Sequence, residues 1–337
     1  MLKYIIKRIL MLIPVLIGVS IIVFLIMRVL SPDPAPIVLG QHATQESVEV
    51  WREANGLNDP LLLQYWNFVT GAVQGDFGTS YYTKAPVMEE IMSRFPATVE
   101  LALFAIIIAS VFGIIIGIIS AVKKNSLFDN AGMLVALVGV SMPIFWLGIL
   151  LIIFFSGTLH WFPSGGRIDP LMSLGLDRVT GLYLIDSLIA GDMEAFSDAL
   201  QHLILPGVAL AMYSMAIITR MTRSSMLETL QQDYIRTARA KGVSEGKVIR
   251  KHAFRNGLIP IVTVIGLQLG SLLGGAVLTE TVFSWPGIGS YTVACILKSD
   301  FPVVQGVVLL IATVFVFMNL LVDVVYAFLD PRIKYSK

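Results

Sequence analysis

Six stretches of this chain contain no Asp, Glu, Lys, Arg or His: residues 9–27, 101–122, 132–154, 203–219, 258–278 and 303–322. Each is 17 to 23 residues long, the length a helix rising ~1.5 Å per residue needs to cross ~30 Å of hydrocarbon. Backbone N–H and C=O groups in lipid must bond within their own segment, so apolar runs of this length fold as helices. Composition agrees: 56% of the 337 residues are hydrophobic and only 14% charged, too little charge to solvate a globule of this size. The expected fold class is therefore an all-α polytopic membrane protein with six transmembrane helices. The shortest run, 203–219, is flanked by His202 and Arg220, which can snorkel to the interface. The first run follows a basic start, Met1 to Arg8, and could imitate a signal peptide. It is longer than a signal h-region, and Ser31-Pro32-Asp33-Pro34 follows it rather than a small-x-small cleavage site, so it reads as an uncleaved first span.

Charge distribution orients the chain. With the N-terminus inside, the inner segments are 1–8, 123–131, 220–257 and 323–337, and these 70 residues hold 17 of the 24 Lys and Arg. The 145 residues of the outer segments hold the other 7. Basic residues concentrate on cytoplasmic loops, so both termini are expected in the cytoplasm. In the first outer segment Thr44 can cap a helix ending near Gly56, and Asp59-Pro60 reads as a second helix start with Asp as cap. That second helix carries Leu62, Tyr65, Trp66 and Val69 on one stripe, and residues 83–94 read as a third short helix. These helices either pack on the membrane face or cap the external mouth and touch an external partner. The second outer segment, 156–201, is acidic and reads as loop with one or two short helices; it lacks a calcium-loop spacing.

Inside the spans the ion-binding residues of self-powered transporters are missing. Glu100, Glu280 and Asp323 sit at span edges and read as interfacial charges. Small residues recur at helical spacing: Gly113 and Gly117 in the second span, and Gly266, Gly270 and Gly274 in the fifth. Such steps let helices approach closely, either within the chain or against a partner helix. Gln268 and Asn319 are the most polar mid-span side chains, and Ser141-Met142-Pro143 interrupts the third span, where Pro143 reads as a kink. With Ser141, Pro143 and Gln268, the glycines Gly266, Gly270 and Gly274 form a candidate packing or pathway set. One cysteine, Cys295, excludes an internal disulfide, and four scattered histidines make a metal site unexpected. No phosphate loop, H-E-x-x-H or G-x-S-x-G occurs, so if ATP drives this protein another chain binds it.

One polar island, 220–257, lies between two spans and carries nine Lys and Arg. Residues 226–240 contain no Gly or Pro and favour helix; Gly242 breaks it, and Ser244-Glu245 starts a short helix before the chain re-enters hydrocarbon at Ile259-Pro260. The alternative is a solvated basic loop held near anionic headgroups.

The island resembles the EAA loop of ATP-binding-cassette importer permeases, in its peptide and nickel branch. The resemblance rests on Asp233-Tyr234-Ile235-Arg236-Thr237-Ala238-Arg239-Ala240-Lys241-Gly242 and on His252-Ala253-Phe254-Arg255-Asn256-Gly257-Leu258-Ile259-Pro260. The general motif places Glu-Ala-Ala where Arg236, Thr237 and Ala238 stand, a departure the peptide branch shares. Further matches are Gly75-Asp76-Phe77-Gly78, the Arg220–Leu227 stretch, Thr279-Glu280-Thr281-Val282-Phe283-Ser284-Trp285-Pro286-Gly287-Ile288-Gly289 and Asp330-Pro331-Arg332. Ser31-Pro32 departs from the usual Pro-Gly before Asp33-Pro34. The chain is most similar to the first of the two permease subunits of bacterial dipeptide importers.

That resemblance implies a type I importer transmembrane-domain fold in the bacterial cytoplasmic membrane. Its parts would be an N-terminal helix over 1–30, an external helical segment over 31–94, a transmembrane domain over 95–329 with a coupling loop at 220–257, and a tail over 330–337. A second homologous permease would complete the pathway, and two cytoplasmic ATPase subunits would bind ATP and Mg. An extracytoplasmic binding protein would deliver cargo. This chain itself would bind no cofactor and catalyse nothing, and its other contact would be membrane lipid, with no nucleic acid. The ATPase-coupling residues would be Asp233, Tyr234, Arg236, Ala238, Arg239, Ala240, Lys241, Gly242, Ser244, Glu245, Lys247, His252 and Arg255. Cargo within the family could instead be nickel, glutathione, oligopeptides, antimicrobial peptides or haem. A stand-alone secondary transporter or channel, and a sensor signalling through the island, are the readings outside it.

Overall fold

The computed structural model describes residues 2–40 and 42–329. The tail at 330–337, with Asp330-Pro331-Arg332, lies outside the described residues. The chain runs through α1 (Leu2–Leu25), which widens into a π turn at Ile26–Leu30, then α2 (Pro34–Leu39), α3 (Gln45–Ala54) and α4 (Leu61–Val73). Next come α5 (Val87–Val122), α6 (Leu127–Ser141), α7 (Ile144–Leu151) with a π turn at Ile152–Thr158, α8 (Pro170–Ser173) and α9 (Tyr183–Ala190). After α10 (Met193–Leu230) follow α11 (Asp233–Ala240), α12 (Glu245–Lys247), a π turn at Val248–Phe254 and α13 (Arg255–Gly275). The chain ends with α14 (Val277–Val282), α15 (Ile288–Leu297) and α16 (Phe301–Leu329).

Five of these helical stretches are long and apolar enough to cross a membrane, and the α6–α7 pair makes a sixth, broken span. α10 is the central helix. On one side it meets α5, where Ala105, Ala109, Leu210 and Ile218 are buried in one core. Gly113 and Gly117 make that approach possible: a Cβ on Gly117 would lie 2.8 Å from the Thr219 carbonyl and 2.6 Å from the Thr222 Cβ. On its other sides α10 meets α6 at Gly139 and α13 through the Ser214 hydroxyl, which donates to Gln268 at 3.0 Å. The α5–α10 seam predicts a stability effect. Gly117→Val destabilises the fold by about 1–3 kcal/mol through overpacking, whereas Gly18→Val, at a site with nothing within 4 Å, does not. Thermal unfolding in detergent reads the difference, and equal melting of the two variants would count against this packing.

Several expectations from sequence are corrected. Asp59 does not cap α4; Pro60 occupies the cap position with ψ 138°, and its carbonyl accepts from the N–H groups of Leu63 and Gln64. Of the expected α4 stripe, Tyr65 and Val69 are half-buried but Leu62 and Trp66 are exposed; the packed face takes in Gln64 and Phe68 instead, because Tyr65 and Phe68 meet Phe24 of α1, and the Tyr65 hydroxyl bonds Ser20 at 2.9 Å. The third short helix does not end at Arg94. It begins at Val87 and runs through Pro96 to Val122, since burial of Ala97, Thr98 and Leu101 and a 2.9 Å bond from Trp285 Nε1 to the Ala97 carbonyl hold the backbone past the proline. Pro143 marks a break of 106° rather than a kink. The helix expected over 226–240 is interrupted at Gln231-Gln232, where Gln232 is extended (ψ 148°). The turn lets Ile235 and Ala238 reach Met226, Val248 and Ala253. The piece after Gly242 is not a separate short helix; it continues through the Val248–Phe254 turn into the fifth span.

Candidate functional site

The island folds as a corner. α11 is amphipathic: Ile235 and Ala238 are buried in a small core with Met226, Val248, Ala253 and Ala121 of α5. Its other face is exposed, with Asp233, Tyr234, Arg236, Arg239 and Ala240 outward. The helix stops in a Schellman arrangement. The Gly242 N–H donates to the Arg239 carbonyl at 2.9 Å and the Val243 N–H to the Ala238 carbonyl at 3.2 Å. Gly242 sits at φ +76°, a conformation that favours glycine. Across the corner Arg239 grips Glu245 through both carboxylate oxygens, at 2.5 and 3.1 Å. The pair is half exposed, so water screens it, and its main effect is to fix the corner's angle.

Of the residues expected to couple, Lys241, Gly242, Ser244, Glu245, Lys247 and Arg255 are also exposed and contiguous with the α11 face, while His252 is half-buried. Ala238 faces inward, where it anchors the corner. The open side of Gly242 is empty: a Cβ there would meet nothing within 4 Å. The corner is a rigid basic ledge tied to the spans. Ser225 donates to the Gly257 carbonyl at 2.8 Å, joining α10 to α13, and Arg223 grips Asp129 at 2.7 and 2.8 Å, joining α10 to α6. The ledge itself rests on α5 and α10 through the core of Ala121, Met226, Ile235 and Ala238.

The candidate packing and pathway set is not brought together. Gly266, Gly270 and Gly274 face Val322, Phe315 and Ile311 of α16 in the same chain. Gln268 is bonded to α10, and Ser141 and Pro143 lie exposed at the α6–α7 break.

Two polar knots at the other membrane end were not legible as such. Glu280 and Glu100, expected as interfacial charges, are both buried. Glu280 accepts from the Thr98 hydroxyl at 2.6 Å and the Ser290 N–H at 2.8 Å. Gly287 and Gly289 wrap it so closely that a Cβ on either would lie within 2.8 Å of its carboxylate. Burial pushes the Glu280 carboxyl up, against hydrogen bonds from Thr98 and the backbone of Ser290 and Gly289. Glu100 pairs with Arg167 at 2.7 Å and accepts the Leu184 N–H at 2.9 Å. The Trp-Pro-Gly-x-Gly run after Glu280 was the available signal, because glycine lets the backbone approach another group closely. For Glu100 no local signal exists, since its partner is 67 positions away.

Five membrane-length helices and one broken span, with an exposed basic ledge at one end, define a multi-pass membrane protein. The chain belongs to the family described as binding-protein-dependent transport system inner membrane component, whose profile matches residues 113–335; residues 1–102 match the companion family described as binding-prot-dependent transport system membrane comp, N-term. It is thus a permease subunit of an ABC importer, resident in the bacterial inner membrane. It is 50% identical over 338 residues to the dipeptide transport system permease protein of Alkalihalophilus pseudofirmus, covering 99% of this chain and 100% of that protein. It is 45% identical over 338 residues to the di/tripeptide transport system permease protein of Pseudomonas aeruginosa, covering 100% of both. Its fold is similar to that of a methionine ABC transporter solved in inward-facing conformations, with a TM-score of 0.53 at 16% identity over 72% of this chain and 97% of that one.

Proposed function

We propose that this subunit forms, with a homologous permease, the pathway by which dipeptides and other short peptides enter the cell. Separate cytoplasmic ATPase subunits supply the energy by gripping the corner around Gly242, and an external binding protein delivers the cargo. The subunit itself catalyses no reaction. The observation that carries this reading is the exposed ledge from Asp233 to Lys247, seated through Ile235 and Ala238 on buried residues of α5, α10 and the Val248–Phe254 turn, with an open space beside Gly242. End-to-end identity of 45–50% to permeases of dipeptide and di/tripeptide systems supports the cargo.

The ledge lies on the side where basic residues concentrate, which supports a cytoplasmic position for it and for both termini. Closing motion of the ATPases would rotate the ledge, and the Arg223–Asp129 and Ser225–Gly257 ties would carry that rotation into the spans. The test is uptake of a labelled dipeptide by proteoliposomes holding the purified complex. Uptake requires ATP and the ATPase subunits, and free amino acids do not compete. Uptake that persists without ATP would overturn the reading, as would recovery of a functional chain with no ATPase bound.

A further inference from the structure

The third span is broken at half depth. Met142 and Pro143 are extended, at ψ 126° and 131°, and fall midway along the uncharged run 132–154. The neighbouring helix gives the same depth. A Cβ on Gly139, one turn before the break, would lie 3.1 Å from the carbonyl of Met212, near the middle of the run 203–219.

The break strands backbone groups. Pro143 has no N–H to give the Gly139 carbonyl. In an unbroken helix the carbonyls of Val140, Ser141 and Met142 would accept from the N–H groups of Ile144, Phe145 and Trp146; none of these bonds forms. The Met142 N–H still reaches the Val138 carbonyl at 3.0 Å, and the Leu147 N–H reaches the Pro143 carbonyl at 3.1 Å, so the gap is bounded on both sides. No side chain caps α7. Among the described residues, therefore, three N–H groups and four carbonyls at the break have no partner. Packing keeps the break open. α6 is held to α10 at Gly139 and by the Arg223–Asp129 pair. α7 is held at its other end, where a Cβ on Gly148 would lie 3.0 Å from the Phe283 ring, and the two helices diverge by 106°.

Hydrocarbon cannot bond these groups. Irregular backbone at membrane depth is confined to places buried in protein or facing a water-filled cavity. This chain does not bury the break: Ser141, Pro143, Phe145 and Trp146 are all exposed. The break therefore faces away from lipid. Unpaired donors and acceptors side by side are the surface that water serves, since each water molecule offers both.

We propose that the α6–α7 break lines the water-filled translocation pathway at half depth, with Ser141 at its wall. This rests on the reading above, in which a second permease closes the pathway against this one.

Thiol labelling of the complex in lipid nanodiscs tests it. Cys295→Ala removes the one cysteine of this chain, and Ser141→Cys supplies a new one. The probe is a charged, membrane-impermeant methanethiosulfonate. The thiolate attacks its sulfenyl sulfur, a mixed disulfide forms and methanesulfinate leaves, so the reaction needs a thiolate in water. Ser141→Cys is modified at least about tenfold faster than Ile17→Cys, an exposed apolar position inside α1 whose thiol stays protonated in hydrocarbon. Ser141→Cys transports before labelling, and the adduct stops its ATP-driven uptake. A Ser141→Cys thiol that stays unmodified in the assembled complex overturns the proposal and leaves the break covered by a partner subunit. Modification that leaves uptake unchanged overturns it too. Uptake that runs without ATP would instead count against the importer reading, while the thiol still reports whether water reaches the break.

Discussion

Gly242→Arg abolishes ATP-driven uptake and leaves the protein folded in the membrane. A side chain at φ +76° is strained by about 1–2 kcal/mol, but no neighbour lies within 4 Å of the new Cβ, so the fold absorbs it. The loss comes from the space beside the corner, which on the proposed reading is where the ATPase docks. Obstructing the centre of a docking surface costs about 2 kcal/mol or more, so docking weakens about 30-fold or more and uptake falls to background. Gly242→Asn separates the two effects, since asparagine tolerates the left-handed conformation and is short; it retains most of the uptake. The measurements are uptake in proteoliposomes and recovery of ATPase with the purified permease. Normal uptake by Gly242→Arg would refute docking at the corner.

Arg167→Met destabilises the protein by about 3–5 kcal/mol, the cost of leaving a buried charge without its partner. Arg167 and Glu100 are 9% and 6% exposed, and no second cation replaces the guanidinium among the partners of Glu100. Arg167 does more than pair. It donates to the Gly181 carbonyl at 2.6 Å and stacks 4.2 Å from the Tyr183 ring, so it holds the loop between α7 and α9 against the top of α5. Limited proteolysis of residues 159–182 therefore accelerates in the variant along with the fall in melting temperature. Adding Glu100→Leu to Arg167→Met recovers much of the stability, because a matched apolar pair replaces a buried ion pair at little cost. A loss below about 1 kcal/mol in the single variant, typical of exposed pairs, would show that water reaches Glu100.

The two variants test different kinds of knowledge. Gly242 was legible in the sequence because a glycine after a helical run, followed by Ser244-Glu245, is a local pattern. Exposure of the α11 face was legible too, from Ile235 and Ala238 three apart. The Glu100–Arg167 pair was not legible. A carboxylate at the end of an apolar run has the same local sequence whether it meets water or a guanidinium. The glycine steps were half legible: their spacing promised close helix contact, but not that α16 of the same chain, rather than a partner, covers Gly266 and Gly270.

The sequence by itself determined the class of protein, the six apolar spans and the place of the basic corner. These follow from hydropathy, length and backbone preference, which act within one stretch of chain. Only the tertiary structure decided that the third span breaks by 106° and that the corner's second helix runs unbroken into the fifth span. It alone showed that Glu100 and Glu280 are buried ties. Such features depend on groups 67 to 182 positions apart meeting within hydrogen-bond distance, and the cost of burying a charge is set by what surrounds it rather than by its neighbours in sequence.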